Sequence, residues 1–128
     1  MQWNLYGWLG GQLGGSAWML VAGLLSFSAD RTSAVTVIVF FALANLVGVI
    51  LWRRRNRLSP YAAIQILLPV IGVLSLAAVY VLERAGIYET IQVGGTVSAK
   101  ATYVVIAVVV AALMLMFYMQ FGRKLDKT

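Results

Sequence analysis

The sequence predicts an all-α membrane protein, a bundle of four transmembrane helices in one domain that covers residues 1–128. Hydrophobic residues make up 62% of the chain and charged residues only 11%, whereas soluble domains are about 25% charged. Four apolar runs, at about 8–27, 34–52, 61–82 and 103–121, each approach the roughly 20 residues that a helix needs to cross a bilayer. The charged side chains fall between these runs or in the C-terminal tail.

The first run is rich in glycine, and its small residues repeat every four positions. Gly10 and Gly14 share one face of a helix, as do Gly11 and Gly15, so another helix backbone could pack closely there. Gln12 lies in the same stretch and could bond to a neighbouring helix. The alternative is a locally weakened helix that forms a passage with Gln12 in its wall, because glycine costs about 1 kcal/mol relative to alanine.

The second run contains an amide near the middle of the bilayer. Thr32 or Ser33 is the expected N-cap, and a helix is predicted because an isolated strand would leave its amides unpaired in lipid. Asn45 needs a hydrogen-bond partner at that depth, and it shares a face with Gly48. This pattern predicts a face that packs on another helix with Asn45 bonding across it, while a pore or ligand role for Asn45 is the alternative.

A basic loop, residues 53–59, separates the second and third runs. It carries four arginines within five positions: Arg53, Arg54, Arg55 and Arg57. Ser59 is the expected N-cap of the third helix, and Pro60 suits its first turn because proline has no N–H to leave unpaired. The loop is short, so the second and third helices are predicted to form a tight hairpin.

The remaining polar features lie in the third run and in the loop that follows it. Gln65 is one turn inside the third run, and Pro69 is expected to kink that helix. Residues 83–102 form the longest loop, in which strand-like segments flank Gly94 and Gly95. A small β-hairpin there and an early start of the fourth helix are both compatible with the sequence.

The distribution of basic residues predicts the orientation. With four crossings, seven of the ten Lys and Arg residues lie on the side of the basic loop and the two termini. Both termini are therefore expected in the cytoplasm, with the protein in the plasma (inner) membrane. We expect the arginines of the basic loop, together with Arg123 and Lys124, to contact anionic lipid headgroups rather than nucleic acid.

The residue inventory excludes many kinds of chemistry. The chain has no cysteine and no histidine, which removes thiolate chemistry, the commonest metal ligand and the commonest general base. No ionisable side chain falls within the four predicted spans, although proton pumps and ion-coupled carriers usually need one. The sequence therefore predicts no enzymatic activity, no metal and no cofactor.

Two functional hypotheses follow. The first is a packing or interaction unit, either a homo-oligomer or an accessory subunit of a larger membrane complex. The second is an oligomeric channel or carrier for a neutral or small solute, lined by Gln12, Asn45 and Gln65. Protein partners for Gln12 and Asn45 in a dry interface would favour the first hypothesis, and a water-filled cavity would favour the second.

Overall fold

A computed structural model describes residues 3–86 and 99–122, and within them the chain forms helices joined by short turns. The elements in order are α1 (Leu5–Ser26), α2 (Arg31–Arg53), α3 (Pro60–Arg84), α4 (Ala99–Phe117) and a π-helical end to α4 (Tyr118–Gly122). The hairpin considered for the loop after α3 falls on residues 87–98, outside the described residues, as do Arg123 and Lys124.

Three of the four helices are long and apolar enough to cross a membrane: Arg31–Arg53, Pro60–Arg84 and Lys100–Gly122. α1 has 22 residues but does not join them, because glycine, glutamine and serine lower the hydropathy of its first half. The all-helical prediction is confirmed for the described residues, and the transmembrane character for three helices. A crossing by α1 stays a prediction.

The helix starts are set by side chains that accept backbone N–H groups. The Ser59 side chain accepts from Ala62 N–H at 3.1 Å, and Pro60 occupies the first turn of α3, as predicted. The prediction of Thr32 or Ser33 as the cap of α2 was wrong. Asp30 caps that helix instead, since its carboxylate accepts both from Thr32 N–H and from the Ser33 hydroxyl, at 3.2 and 2.6 Å.

The helices pack unequally. α1 and α2 pack extensively, and α2 packs on α3, whereas α4 packs on α3 and makes no extensive contact with α1 or α2. In the most apolar stretch of α4 no residue is buried, whereas 39% of the residues in the corresponding stretch of α3 are buried. The buried core is therefore contributed by α1, α2 and α3: Trp8, Met19, Ala22, Val37, Ala44, Leu51, Ala63, Leu67, Ile71, Ala78 and Leu82.

One end of the bundle collects the start of α1, the basic loop and the end of α4. Trp3 Nε1 donates to the carbonyl oxygen of Leu58 in the basic loop at 3.1 Å. Gly122 lies against Tyr61, so closely that a Cβ atom there would be 2.6 Å from the tyrosine oxygen. At the other end, the Tyr103 hydroxyl donates to Glu83 Oε2 at 2.8 Å and joins α4 to α3.

Candidate functional site

A buried polar network joins α1 to α2. Gln12 Nε2 donates to Asn45 Oδ1 at 2.9 Å and to the Asn45 carbonyl oxygen at 3.2 Å. Asn45 Nδ2 in turn donates to Ser16 Oγ at 3.0 Å and to the Phe41 carbonyl oxygen at 2.9 Å. The Ser16 hydroxyl donates to the Gln12 carbonyl oxygen at 2.7 Å. Each side chain of this triad, Gln12, Ser16 and Asn45, is thus hydrogen-bonded within the chain.

Gly48 makes the room for this network. A Cβ atom at Gly48 would overlap the Gln12 amide, so only glycine lets the Gln12 side chain lie flat against α2. Trp8 Nε1 donates to the Gly48 carbonyl oxygen at 3.0 Å, one turn before Gln12 along α1. Gln12 is only 4% exposed, and its Oε1 atom has no hydrogen-bond partner among the described residues. Among the buried side-chain nitrogen and oxygen atoms of the described residues, this oxygen alone lacks a partner, and such an atom costs about 1–3 kcal/mol.

Sequence reasoning identified Gln12 and Asn45 but not their companions. Trp8, Gln12 and Ser16 are spaced four residues apart, and all three are buried on the face of α1 that meets α2. This spacing is visible in the sequence, and it could have found Ser16 and Trp8 as members of the same face. The choice of α2 as the neighbour is not encoded in the spacing.

Two further side chains within the helices, Gln65 and Trp18, also have partners on another helix. Gln65 Nε2 donates to the Met114 carbonyl oxygen at 2.9 Å and ties α3 to α4. Trp18 Nε1 donates to Ser75 Oγ at 3.3 Å and ties α1 to α3. The three amides considered as pore-lining residues therefore lie in two different interfaces, Gln12 and Asn45 between α1 and α2 and Gln65 between α3 and α4.

An apolar groove runs between α1 and α4, with α3 as its floor, and has a volume of about 520 Å³. We call this the lateral groove. It exists because α4 packs on α3 without closing onto α1. Its α1 wall consists of four glycines and Trp18, and its other walls are mainly branched aliphatic side chains. The lining residues are Gly10, Gly11, Gly14, Gly15 and Trp18 on α1; Ile64, Leu67, Leu68, Ile71, Gly72 and Ser75 on α3; and Val105, Ile106, Val109, Val110, Leu113 and Phe117 on α4.

The glycines predicted to pack helices fall into two groups. Gly15 lies under Ile71 of α3, where a Cβ atom would be 3.2 Å from Ile71 Cδ1. Gly10, Gly11 and Gly14 instead face open space, with nothing within 4 Å of the position that a Cβ atom would take. A helix-packing role for these three requires another molecule, and it stays a prediction.

A smaller cavity of about 260 Å³ continues the lateral groove towards the basic loop. We call it the head cavity, and it shares Gly11, Ile64 and Phe117 with the lateral groove. Trp3 and Pro60 also line it, and Trp3 forms edge-to-face contacts with Trp8 and Trp52, at ring-centroid distances of 5.0 and 5.5 Å. At the end of the bundle that carries the basic loop, this aromatic cluster therefore joins α1, through Trp8, to α2, through Trp52.

The arginines of the basic loop lie at the surface of this end, and all four are exposed. The Arg55 guanidinium stacks 4.8 Å from the centroid of the Trp52 ring and also donates to the Trp52 carbonyl oxygen. These guanidinium groups lie at the end of the bundle that the head cavity adjoins. A positively charged surface next to an apolar recess can hold an amphipathic anion.

Comparison of the chain with protein-family models, curated proteins and solved structures finds no match.

Proposed function

We propose that this protein is a non-enzymatic interaction unit of the membrane, a four-span bundle that assembles with copies of itself or serves as an accessory subunit of a larger membrane complex. The observation that carries the proposal is that the three amide side chains considered as pore-lining residues are hydrogen-bonded between helices. Gln12, Asn45 and Gln65 each donate to a protein oxygen. These are the roles expected of residues that fix a bundle rather than of residues that conduct a solute.

The proposed topology has four crossings, with both termini in the cytoplasm. At 1.5 Å per residue, the 22 residues of α1 extend about 33 Å, enough for a hydrocarbon core about 30 Å thick. The Gln12 side-chain N–H donates to Asn45 of α2, and Ser16 Oγ accepts from it, which lowers the cost of placing a helix of modest hydropathy in lipid. By the positive-inside rule, the basic loop then lies on the cytoplasmic side. The membrane we propose is the plasma (inner) membrane.

The outer surface of α4 is the contact face we propose for assembly. This helix packs on α3 alone, and Val108 lies on its exposed side, outside the residues that line the lateral groove. A helix that contacts one neighbour in the chain leaves most of its surface for another subunit. Lipid also covers such surfaces, so cross-linking from this face is the measurement that distinguishes protein contact from lipid contact.

The alternative, a passage for a small solute, has less support. A passage needs polar atoms that face water, whereas the buried Gln12 side chain and the half-buried Asn45 side chain are bonded to each other. The lateral groove is lined almost entirely by apolar side chains, and none of the three amides lines it. Transport would therefore require a different arrangement of α1 and α2.

The absence of native cysteine allows a direct test of assembly. We expect the full chain, extracted in mild detergent, to migrate above the monomer mass or with a second membrane chain. In membranes, the single-cysteine variant Val108→Cys should form disulfide-linked or bifunctionally cross-linked species. Val39→Cys, on an exposed face of α2, is the matched control and should not. A chain that comes away alone and monomeric, without cross-links at position 108, would refute the proposal.

A further inference from the structure

We propose that the lateral groove binds one acyl chain of an anionic phospholipid, whose headgroup lies at the surface of the bundle, beyond the head cavity and beside the exposed arginines of the basic loop. The inference requires only that the protein lies in a membrane, and it is independent of the assembly proposed above. It rests on three observations: the length of the groove, the chemistry of its walls and the asymmetry of charge between its two ends.

The lateral groove is as long as one leaflet of a bilayer. On α3 it extends from Ile64 to Ser75, which is about 16 Å at 1.5 Å per residue. Half of a hydrocarbon core about 30 Å thick is about 15 Å. Because Ile64 is one turn from the start of α3, the groove occupies the half of the bundle that adjoins the basic loop. A lipid of that leaflet is therefore in register with the groove.

The walls suit a flexible hydrocarbon chain. Gly10, Gly11 and Gly14 have no side chains, and they create the depth of the recess on the α1 side. The opposite wall consists of α4 side chains such as Val105 and Val109, which are exposed in the isolated chain. The one side-chain hydroxyl in the lining, that of Ser75, accepts the Trp18 N–H. An acyl chain would therefore leave no polar side chain of the lining in need of a new partner.

The ends of the groove carry different charges. The loop-side end adjoins four arginines and no acidic residue between Leu51 and Pro60, and Trp3, in the wall of the head cavity, is bonded to Leu58 of that loop. At the other end of the bundle, Asp30 and Glu83 offset two of the three described basic residues, Arg31, Arg84 and Lys100. An anionic headgroup is attracted to the first end, where each nearby arginine contributes to binding.

The same observations disfavour a helix of a second copy as the occupant. A transmembrane helix needs about 30 Å of contact length, and the groove offers about half of that. In a membrane both copies have the same orientation, so a helix of the second copy would bring a second set of four arginines to the same end. Like charges at that rim repel each other, whereas a phosphate group neutralises them.

Lipid retention on the purified full chain tests the proposal. The chain in mild detergent is mixed with equal amounts of phosphatidylglycerol and phosphatidylcholine that carry the same acyl chains, and the retained lipid is counted by native mass spectrometry. We expect one phosphatidylglycerol per chain and a preference of roughly tenfold over phosphatidylcholine, falling towards one at high salt. The triple variant Arg53→Gln, Arg54→Gln, Arg57→Gln should lose the preference.

Variants that fill the groove identify the site. Gly14→Leu places a side chain into the recess from α1, and Val109→Phe does so from α4, so one of them serves if the other fails to fold. Each should reduce retained phosphatidylglycerol about tenfold. Ala42→Leu, on the exposed face of α2, is the matched control and should retain it fully.

Three results would overturn the proposal. The first is unchanged retention by a folded groove variant, and the second is equal retention of the two lipids by the unaltered chain. The third is disulfide-linked dimers of Gly14→Cys in membranes, which would show that a second copy occupies the groove. Because retention is counted per chain, a negative result here is separate from the outcome of the cross-linking test at Val108.

Discussion

The interface between α1 and α2 and the interface between α3 and α4 are built from the same kinds of residues, but they are held in different ways. The first contains the triad of Gln12, Ser16 and Asn45, together with the indole of Trp8 on the Gly48 carbonyl oxygen. The second contains the Gln65 bond to the Met114 carbonyl oxygen near one end and the Tyr103 bond to Glu83 at the other. Between these bonds it depends on apolar contact.

This difference shows what fixes helices in a lipid environment. Apolar side chains gain little by moving from lipid onto another helix, so packing and hydrogen bonds provide most of the selectivity. α1 has low hydropathy but fits closely against α2, because Gly48 admits Gln12. α4 is almost purely apolar, packs on one neighbour and leaves the lateral groove open. The helix with the weaker transmembrane signal is therefore the better integrated one.

The substitution Gly48→Ala breaks the first interface most directly. The added methyl group overlaps the Gln12 amide, so either the side chain leaves its bonds to Asn45 or α1 moves away. We expect a loss of about 3 kcal/mol in unfolding free energy, the upper part of the range for overpacking. Denaturation in mixed micelles, followed by helical circular dichroism, measures it.

Gly14→Ala is the matched control for that experiment. The same methyl group at Gly14 meets nothing within 4 Å, so the unfolding free energy should not fall, and the higher helix propensity of alanine adds up to about 1 kcal/mol of stability. Equal losses in the two variants would show that the cost arises from the lipid, and not from the contact between Gly48 and Gln12.

Asn45→Leu removes the centre of the triad. It leaves the Gln12 amide without its side-chain acceptor and Ser16 Oγ without its donor, so we expect a loss of roughly 2 kcal/mol. Combining it with Gln12→Leu in a double-mutant cycle isolates the contact. A coupling energy near zero would mean that the two amides do not stabilise the fold through each other.

Gln65→Leu tests the interface between α3 and α4, and its effect should be smaller than those of Gly48→Ala and Asn45→Leu. It removes a single bond between α3 and α4, worth about 0.6 kcal/mol in a membrane. A loss as large as that of Asn45→Leu, in the same unfolding assay, would contradict the view that α4 is held mainly by apolar contact.

The sequence was informative wherever local chemistry decides the outcome. Long apolar runs cannot leave their amides unpaired in lipid, so helices followed from composition, and Ser59-Pro60 marked the start of α3. The cap of α2 was wrong by two or three residues because Asp30, Thr32 and Ser33 can all accept an N–H, and only the backbone geometry selects Asp30. The amides Gln12 and Asn45 stood out because such groups are rare in apolar runs.

By itself, the sequence predicted an all-helical chain with four crossings, which holds for the described residues as to helix and for three helices as to length and hydropathy, and it showed four of the seven arginines within one short loop. Only the tertiary structure decided that Asn45 pairs with α1, that Gly48 is tightly covered while Gly14 is open, and that α4 stands beside α3 alone. The physical reason is that composition and periodicity fix what a helix presents to its surroundings, whereas a hydrogen bond or a close approach depends on which neighbour lies within about 3 Å.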